Sequence, residues 1–116
     1  MLRLEIPGRM PTLNQIYSSP HWSKRQKWAK EWHETIGWSL RSSKLPKTLT
    51  APFWLSVTMF TKRMRDHDNC VIGAKFFLDT LVENGYIPDD SPEYVTGITL
   101  QWQKATGEEK VVYLIQ

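Results

Sequence analysis

The 116-residue chain is 41% apolar and 23% charged. That composition builds one core and excludes a disordered chain or two separate domains. Its apolar runs fall far short of the ~20 residues of a membrane span, its N-terminal Met1-Leu2-Arg3-Leu4-Glu5-Ile6 reads as no signal peptide, and one cysteine, Cys70, forms no internal disulfide or thiolate zinc site. The expectation is a single cytoplasmic domain, residues 1–116, with no membrane segment.

Residues 2–6 alternate apolar and polar and predict a strand, ended by Pro7-Gly8. Pro11 and Pro20 keep the chain irregular as far as His21. Residues 22–43 predict a helix whose apolar stripe is Trp28, Trp32, Ile36 and Leu40, with charged residues on the rest of its surface and Pro46 beyond its end. Residues 52–61 predict a strand burying Phe53, Leu55, Val57 and Met59. A second helix is expected over about 70–84, capped by Asp68 or Asn69 and ended by Asn84-Gly85. Two last strands, 95–103 and 110–115, are expected to form a hairpin through Ala105-Thr106-Gly107-Glu108. The order β-α-β-α-β-β argues an α+β fold with a mixed or antiparallel sheet.

Charge is distributed unevenly along this order. Residues 1–65 hold 12 Lys or Arg against three acids, and residues 66–116 hold three against nine, so halves of +9 and −6 make the net +3. Two solvated faces of different sign would produce this split. So would a basic surface for a polyanion beside an acidic cluster for a cation, the pairing a nuclease needs.

The acidic half has a pattern of its own. Asp66 and Asp68 are two apart, and in an extended segment they point to one side with Cα atoms roughly 6.5–7 Å apart. Two carboxylates so placed converge on one hard cation, magnesium or manganese; alternatively, Asp68 only caps the helix. An EF-hand is excluded, because Val71 and Phe77 stand where its glycine and glutamate belong. A second acidic pair, Asp89-Asp90, follows the helix in a short loop that a tight turn would return to the first. Lys75, seven residues after Asp68, shares its helix face. Its side chain is expected to lean back toward the carboxylates, or to pair with Asp79 four residues on.

Taken together, Arg65-Asp66-His67-Asp68-Asn69, Lys75-Phe76-Phe77-Leu78-Asp79-Thr80-Leu81 and Asn84-Gly85-Tyr86-Ile87-Pro88-Asp89-Asp90 resemble the RusA family of Holliday-junction resolvases. The likeness covers roughly residues 62–95, with a looser echo in Pro11-Thr12-Leu13-Asn14. It implies a homodimeric, magnesium-dependent endodeoxyribonuclease that cuts four-way DNA in recombination and repair, of a kind often carried by prophages. By position it makes Asp66, Asp68 and Asp90 the metal-binding, catalytic carboxylates, with Mn2+ a possible substitute for Mg2+. Lys75 matches the family's catalytic lysine, although its best-known member sets that lysine four residues after the second aspartate. The longer spacing here keeps the helix face and adds ~4.5 Å along the axis.

The reaction implied is metal-assisted phosphodiester hydrolysis. Asn14, Lys24, Arg25, Lys27, Lys62, Arg63 and Arg65, with Arg9 and Lys30, are the residues expected to hold branched DNA through its backbone. Trp22 is a further candidate for DNA contact. His67 is expected to face away from the carboxylates, and His21 and His33 to be surface or packing residues. Paired incisions call for two sites on a two-fold axis, so a homodimer is expected, with Ile98, Leu100 and Trp102 or Val111, Tyr113 and Ile115 at or near its interface. The alternative is a branched-DNA-binding protein of the same fold with little or no catalysis.

Overall fold

The computed structural model of the chain describes residues 2–11, 22–46, 49 and 51–116, with side chains for all of these except 22–25, 67 and 68. Six elements follow the expected order: β1 (Leu2–Pro7), α1 (Trp22–Arg41), β2 (Phe53–Thr61), α2 (His67–Glu83), β3 (Val95–Lys104) and β4 (Lys110–Ile115). The fold is α+β: a four-stranded mixed sheet and two helices. Among the described residues no helix is long and apolar enough to cross a membrane.

Strand alternation decides what the sheet buries. Leu4 and Ile6 of β1 and Phe53, Leu55, Val57 and Met59 of β2 turn into the core. Arg3 and Glu5 turn outward. The helices cover the inner face. α1 sinks Ile36 and Leu40 fully and packs Trp28 and Trp32, half-buried, against the same core. α2 contributes Ile72, Phe77 and Leu81. Its Phe77 ring stacks on Tyr113 of β4 with centroids 4.3 Å apart, and the Tyr113 hydroxyl donates to the Gly73 carbonyl at 2.9 Å. Helix α2 ends where its sequence signal puts it, with Asn84 as C-cap and Gly85 at φ +78°, a left-handed turn that glycine adopts without a Cβ clash.

The expected hairpin between the last two strands does not form. The sheet order is β1-β4-β2-β3: β4 lies antiparallel between β1 and β2, and β3 runs parallel to β2 on its far side. Burial accounts for the difference. β4 hides Val111, Val112, Tyr113 and Ile115 and belongs inside the sheet, whereas β3 leaves Ile98 44% exposed and suits an edge. The segment Ala105–Glu109 therefore crosses the end of β2, spanning two strand spacings, about 9.6 Å. The Ala105 amide donates to the Thr61 carbonyl at 2.9 Å, and the Lys62 amide donates to the Glu109 carboxylate at 3.0 Å.

Helix α2 also begins earlier than expected. It starts at His67, with extended Asp66 (φ −67°, ψ 157°) as its N-cap, and the Asp66 carbonyl accepts the Asn69 amide at 3.0 Å. Neither glycine nor a β-branched residue opposes a helix over 67–70, and acidic residues are favoured in a first turn. Asp68 is therefore a first-turn helical residue rather than a cap, and the extended spacing expected of Asp66 and Asp68 does not hold.

Candidate functional site

The upper end of the sheet, where β2 and β3 finish, collects the residues that can meet an anion. The Thr61 hydroxyl accepts the Trp102 Nε1–H at 2.7 Å and donates to the Arg63 carbonyl, which fastens the turn leading to Arg65. Gly8, after β1, donates to the Glu109 carbonyl at 2.9 Å and brings Arg9 to the same end. Lys62 and Arg63 are exposed there.

Arg65 is different: it is only 8% exposed. Its Nη1 lies 3.3 Å from the Met59 sulfur, and its Nη2 is buried with no hydrogen-bond partner among the described residues. Burial lowers the tendency of this guanidinium to hold its proton, and the nearby charge of Arg9 acts the same way, while Glu109 and Cys70 oppose them. A buried cation without a paired carboxylate is costly. Helix α2 begins two residues further on, and its positive end adds to the field there. The sequence reading placed Arg65 among the surface bases. Its burial against Met59 has no signal in local pattern, because it depends on how the turn after β2 folds back on the strand.

Asp66, exposed, makes no side-chain capping bond. Its carboxylate thus stands beside the anion-attracting pocket without being consumed by the helix. Asp68 is the second helical residue, and its side chain lies outside those described, as do those of Trp22, Lys24, Arg25 and His67; Asn14 and His21 lie outside the described residues altogether. Lys27 and Lys30 are exposed on α1. His33 is half-buried, with Nδ1 3.1 Å from the Glu83 carboxylate and its ring edge-on to Phe76, a packing position between the two helices.

Two expectations about proximity change. The Lys75 ammonium lies 3.3 Å from the Asp79 carboxylate, one turn toward the C-terminus, and does not lean toward Asp66. The second acidic pair is not returned to the first. Helix α2 runs the whole length of β2, from its end at Thr61 back to its beginning, a rise of ~24 Å. The loop that follows is tied to the lower end of the sheet: the Leu49 amide donates to the Tyr86 carbonyl, the Phe53 amide to Tyr94, and the Val95 amide to Ser91. Asp89 and Asp90 are exposed there. Asp89 accepts the Ser91 amide at 2.8 Å, and hydrogen bonds from the Ser91 side chain and backbone hold its carboxyl below the usual range.

Among the described residues, no group of three or more His, Cys, Asp or Glu side chains gathers closely enough to hold a metal ion. No model of a known protein family matches the chain, and no curated protein is significantly similar to it.

Proposed function

We propose that this chain is a divalent-metal-dependent endodeoxyribonuclease of the RusA type that acts on four-way DNA as a homodimer. The observation that carries the reading is Arg65: a buried guanidinium with an unpartnered Nη2, at the positive end of α2 and directly before Asp66. That combination of donors and positive field suits a phosphate oxygen. It leaves a carboxylate beside a bound phosphodiester, as metal-assisted hydrolysis requires.

The hard oxygen donors of Asp66, Asp68 and Asp90 have the chemistry to hold magnesium or manganese, but within one chain they do not fit around one ion. Asp90 is at the opposite end of α2 from the other two. Two copies placed antiparallel along that helix would bring each Asp90 to its partner's Asp66 and Asp68, giving two sites on one axis. In this arrangement Arg65 seats the phosphate, Lys62, Arg63, Lys27 and Lys30 hold the backbone without reading sequence, and a bound magnesium would supply the Lewis acid that activates water.

The separation of the acidic pairs and the Lys75–Asp79 contact favour a second reading, a branched-DNA-binding protein with no cleavage of its own. A single assay separates the two: labelled four-way junction, flap and linear duplex, each with and without magnesium. Magnesium-dependent cleavage of the junction is expected. Tight junction binding with no cleavage in either metal establishes the second reading.

A further inference from the structure

We infer that the second copy docks antiparallel on the flank formed by α2 and the edge strand β3. This deepens the nuclease reading and rests on it for the need of a partner. The flank itself carries the argument.

The surface of α2 turned away from the core reads the same in both directions. It exposes Val71 (45%) and Val82 (36%), with Lys75 and Asp79 between them. Eleven residues turn through about 1,100°, within ~20° of three full turns, so the two valines share one face. The stripe runs apolar, basic, acidic, apolar. Laid antiparallel against a copy of itself, it sets Val71 against the partner's Val82 and Lys75 against the partner's Asp79, and each contact is repeated by the two-fold axis. That is the requirement of an isologous interface. A partner of one charge would satisfy only half of the stripe.

The sheet has a matching edge. Among the described strands the two outer ones are β1 and β3. β1 is guarded by Arg3, Glu5 and Pro7, residues that blunt an edge. β3 is ten residues long, contains no proline, and is uncharged until its last residue, Lys104. Ile98, near its middle, is 44% exposed. Antiparallel pairing of β3 with the partner's β3 continues the sheet at a spacing of about 4.8 Å. Because α2 lies over β2 and β3, the two copies of α2 then stand ~10 Å apart, the distance at which helices pack. The same two-fold brings the upper end of one α2 to the lower end of the other, where the loop of Asp89 and Asp90 lies. The uncovered sheet face, with Trp54 and Phe60, offers no such match: the ion pairs of Glu5 with Lys110 and Arg3 cross it.

Sedimentation equilibrium without metal or DNA tests the interface independently of cleavage. The wild type is expected at twice 13.6 kDa. Lys75→Glu and Asp79→Lys should each weaken the dimer roughly tenfold or more, because like charges then face one another across the axis. An equimolar mixture of the two should recover wild-type affinity. Within each variant chain, residues 75 and 79 still repel, so only contact between chains explains that recovery. Val71→Glu, at an exposed position, should weaken the dimer as well, and circular dichroism checks that each variant is folded. A monomeric wild type at tens of micromolar, or a mixture no tighter than its components, overturns the interface. A dimer that passes these tests but leaves junctions uncut in magnesium keeps the interface and overturns the nuclease reading instead.

Discussion

The Arg65 guanidinium meets the Met59 sulfur at 3.3 Å, where a buried cation ordinarily meets a carboxylate. Met59 belongs to the core face of β2, so the contact carries a positive charge to the rim of the hydrophobic core and leaves Nη2 unpaired. A stability-driven sequence would not retain that arrangement, and a phosphate seat would.

Arg65→Met should therefore separate stability from binding. Replacing an unpaired buried charge by an apolar side chain of similar length is expected to be neutral or stabilising, by about 1–3 kcal/mol. Junction affinity should fall, because the seat for the phosphate is lost. Denaturant titration and gel-shift affinity are measured on the same variant. A marked loss of stability with unchanged affinity would assign Arg65 to the fold instead.

Gly97 and Trp54 form a second dependent pair. A Cβ built on Gly97 would lie 2.4 Å from the Trp54 indole, whose Nε1–H donates to the Thr99 hydroxyl at 2.8 Å. Gly97→Ala should displace the ring and cost on the order of 1 kcal/mol, at the low end for overpacking because the indole is 43% exposed and can swing outward. In a Trp54→Ala background the same change should be neutral or slightly stabilising, since glycine weakens a strand. A double-mutant cycle by chemical denaturation reads the coupling, and additive effects would contradict the contact.

These two pairs show where the sequence was legible and where it was not. Elements with strong periodicity were readable: the buried face of β2 follows from alternation at Phe53, Leu55, Val57 and Met59, and the end of α2 from Asn84-Gly85. Strand neighbours were not, because period two gives a strand its faces but not its partners. The hairpin expected from the closeness of β3 and β4 in sequence gave way to the greater burial of β4. The start of α2 was misread because Asp66, Asp68 and Asn69 are all acceptable caps, and the extended backbone at Asp66 decides among them. Of the candidate site, the residue types near the end of β2 were legible. Their distance from Asp90 was not, since it depends on which end of the sheet α2 returns to.

Tyr113 gives the pH prediction. Full burial pushes its phenol well above the ordinary range for tyrosine, and its hydroxyl donates to the Gly73 carbonyl. The folded state therefore favours the neutral phenol, whereas the unfolded chain ionises it near pH 10. The stabilisation is complete below that pH and is lost as pH rises above it. Urea midpoints should fall from about pH 10 upward, and the fall should be shallower in Tyr113→Phe, which keeps the Phe77 stack and loses only the hydrogen bond, at a cost of ~1 kcal/mol at neutral pH. Equal slopes in the two proteins would remove Tyr113 from the alkaline transition.

The last prediction turns on which chain supplies each carboxylate. Asp66 and Asp68 stand at one end of α2, and Asp90 follows the other, so a complete metal set takes Asp68 from one copy and Asp90 from the other. Asp68→Asn alone should abolish cleavage at both sites of its dimer while leaving junction binding intact, because the amide keeps the shape and loses the charge that holds the cation. Asp90→Asn alone should do the same. When the two variants are mixed and subunits exchange, half of the dimers combine one chain of each kind. In such a dimer one site lacks both carboxylates, and the other receives native Asp68 from one chain and native Asp90 from its partner. The mixture should thus recover about a quarter of wild-type incisions, one intact site in half of the dimers. Those incisions should be nicks rather than paired cuts, since no mixed dimer has two working sites. Were all three carboxylates to act from one chain, every chain in the mixture would carry a defect and no activity would return. Nicked junction in the mixture, absent from either variant alone, is the outcome that assigns each site to two chains.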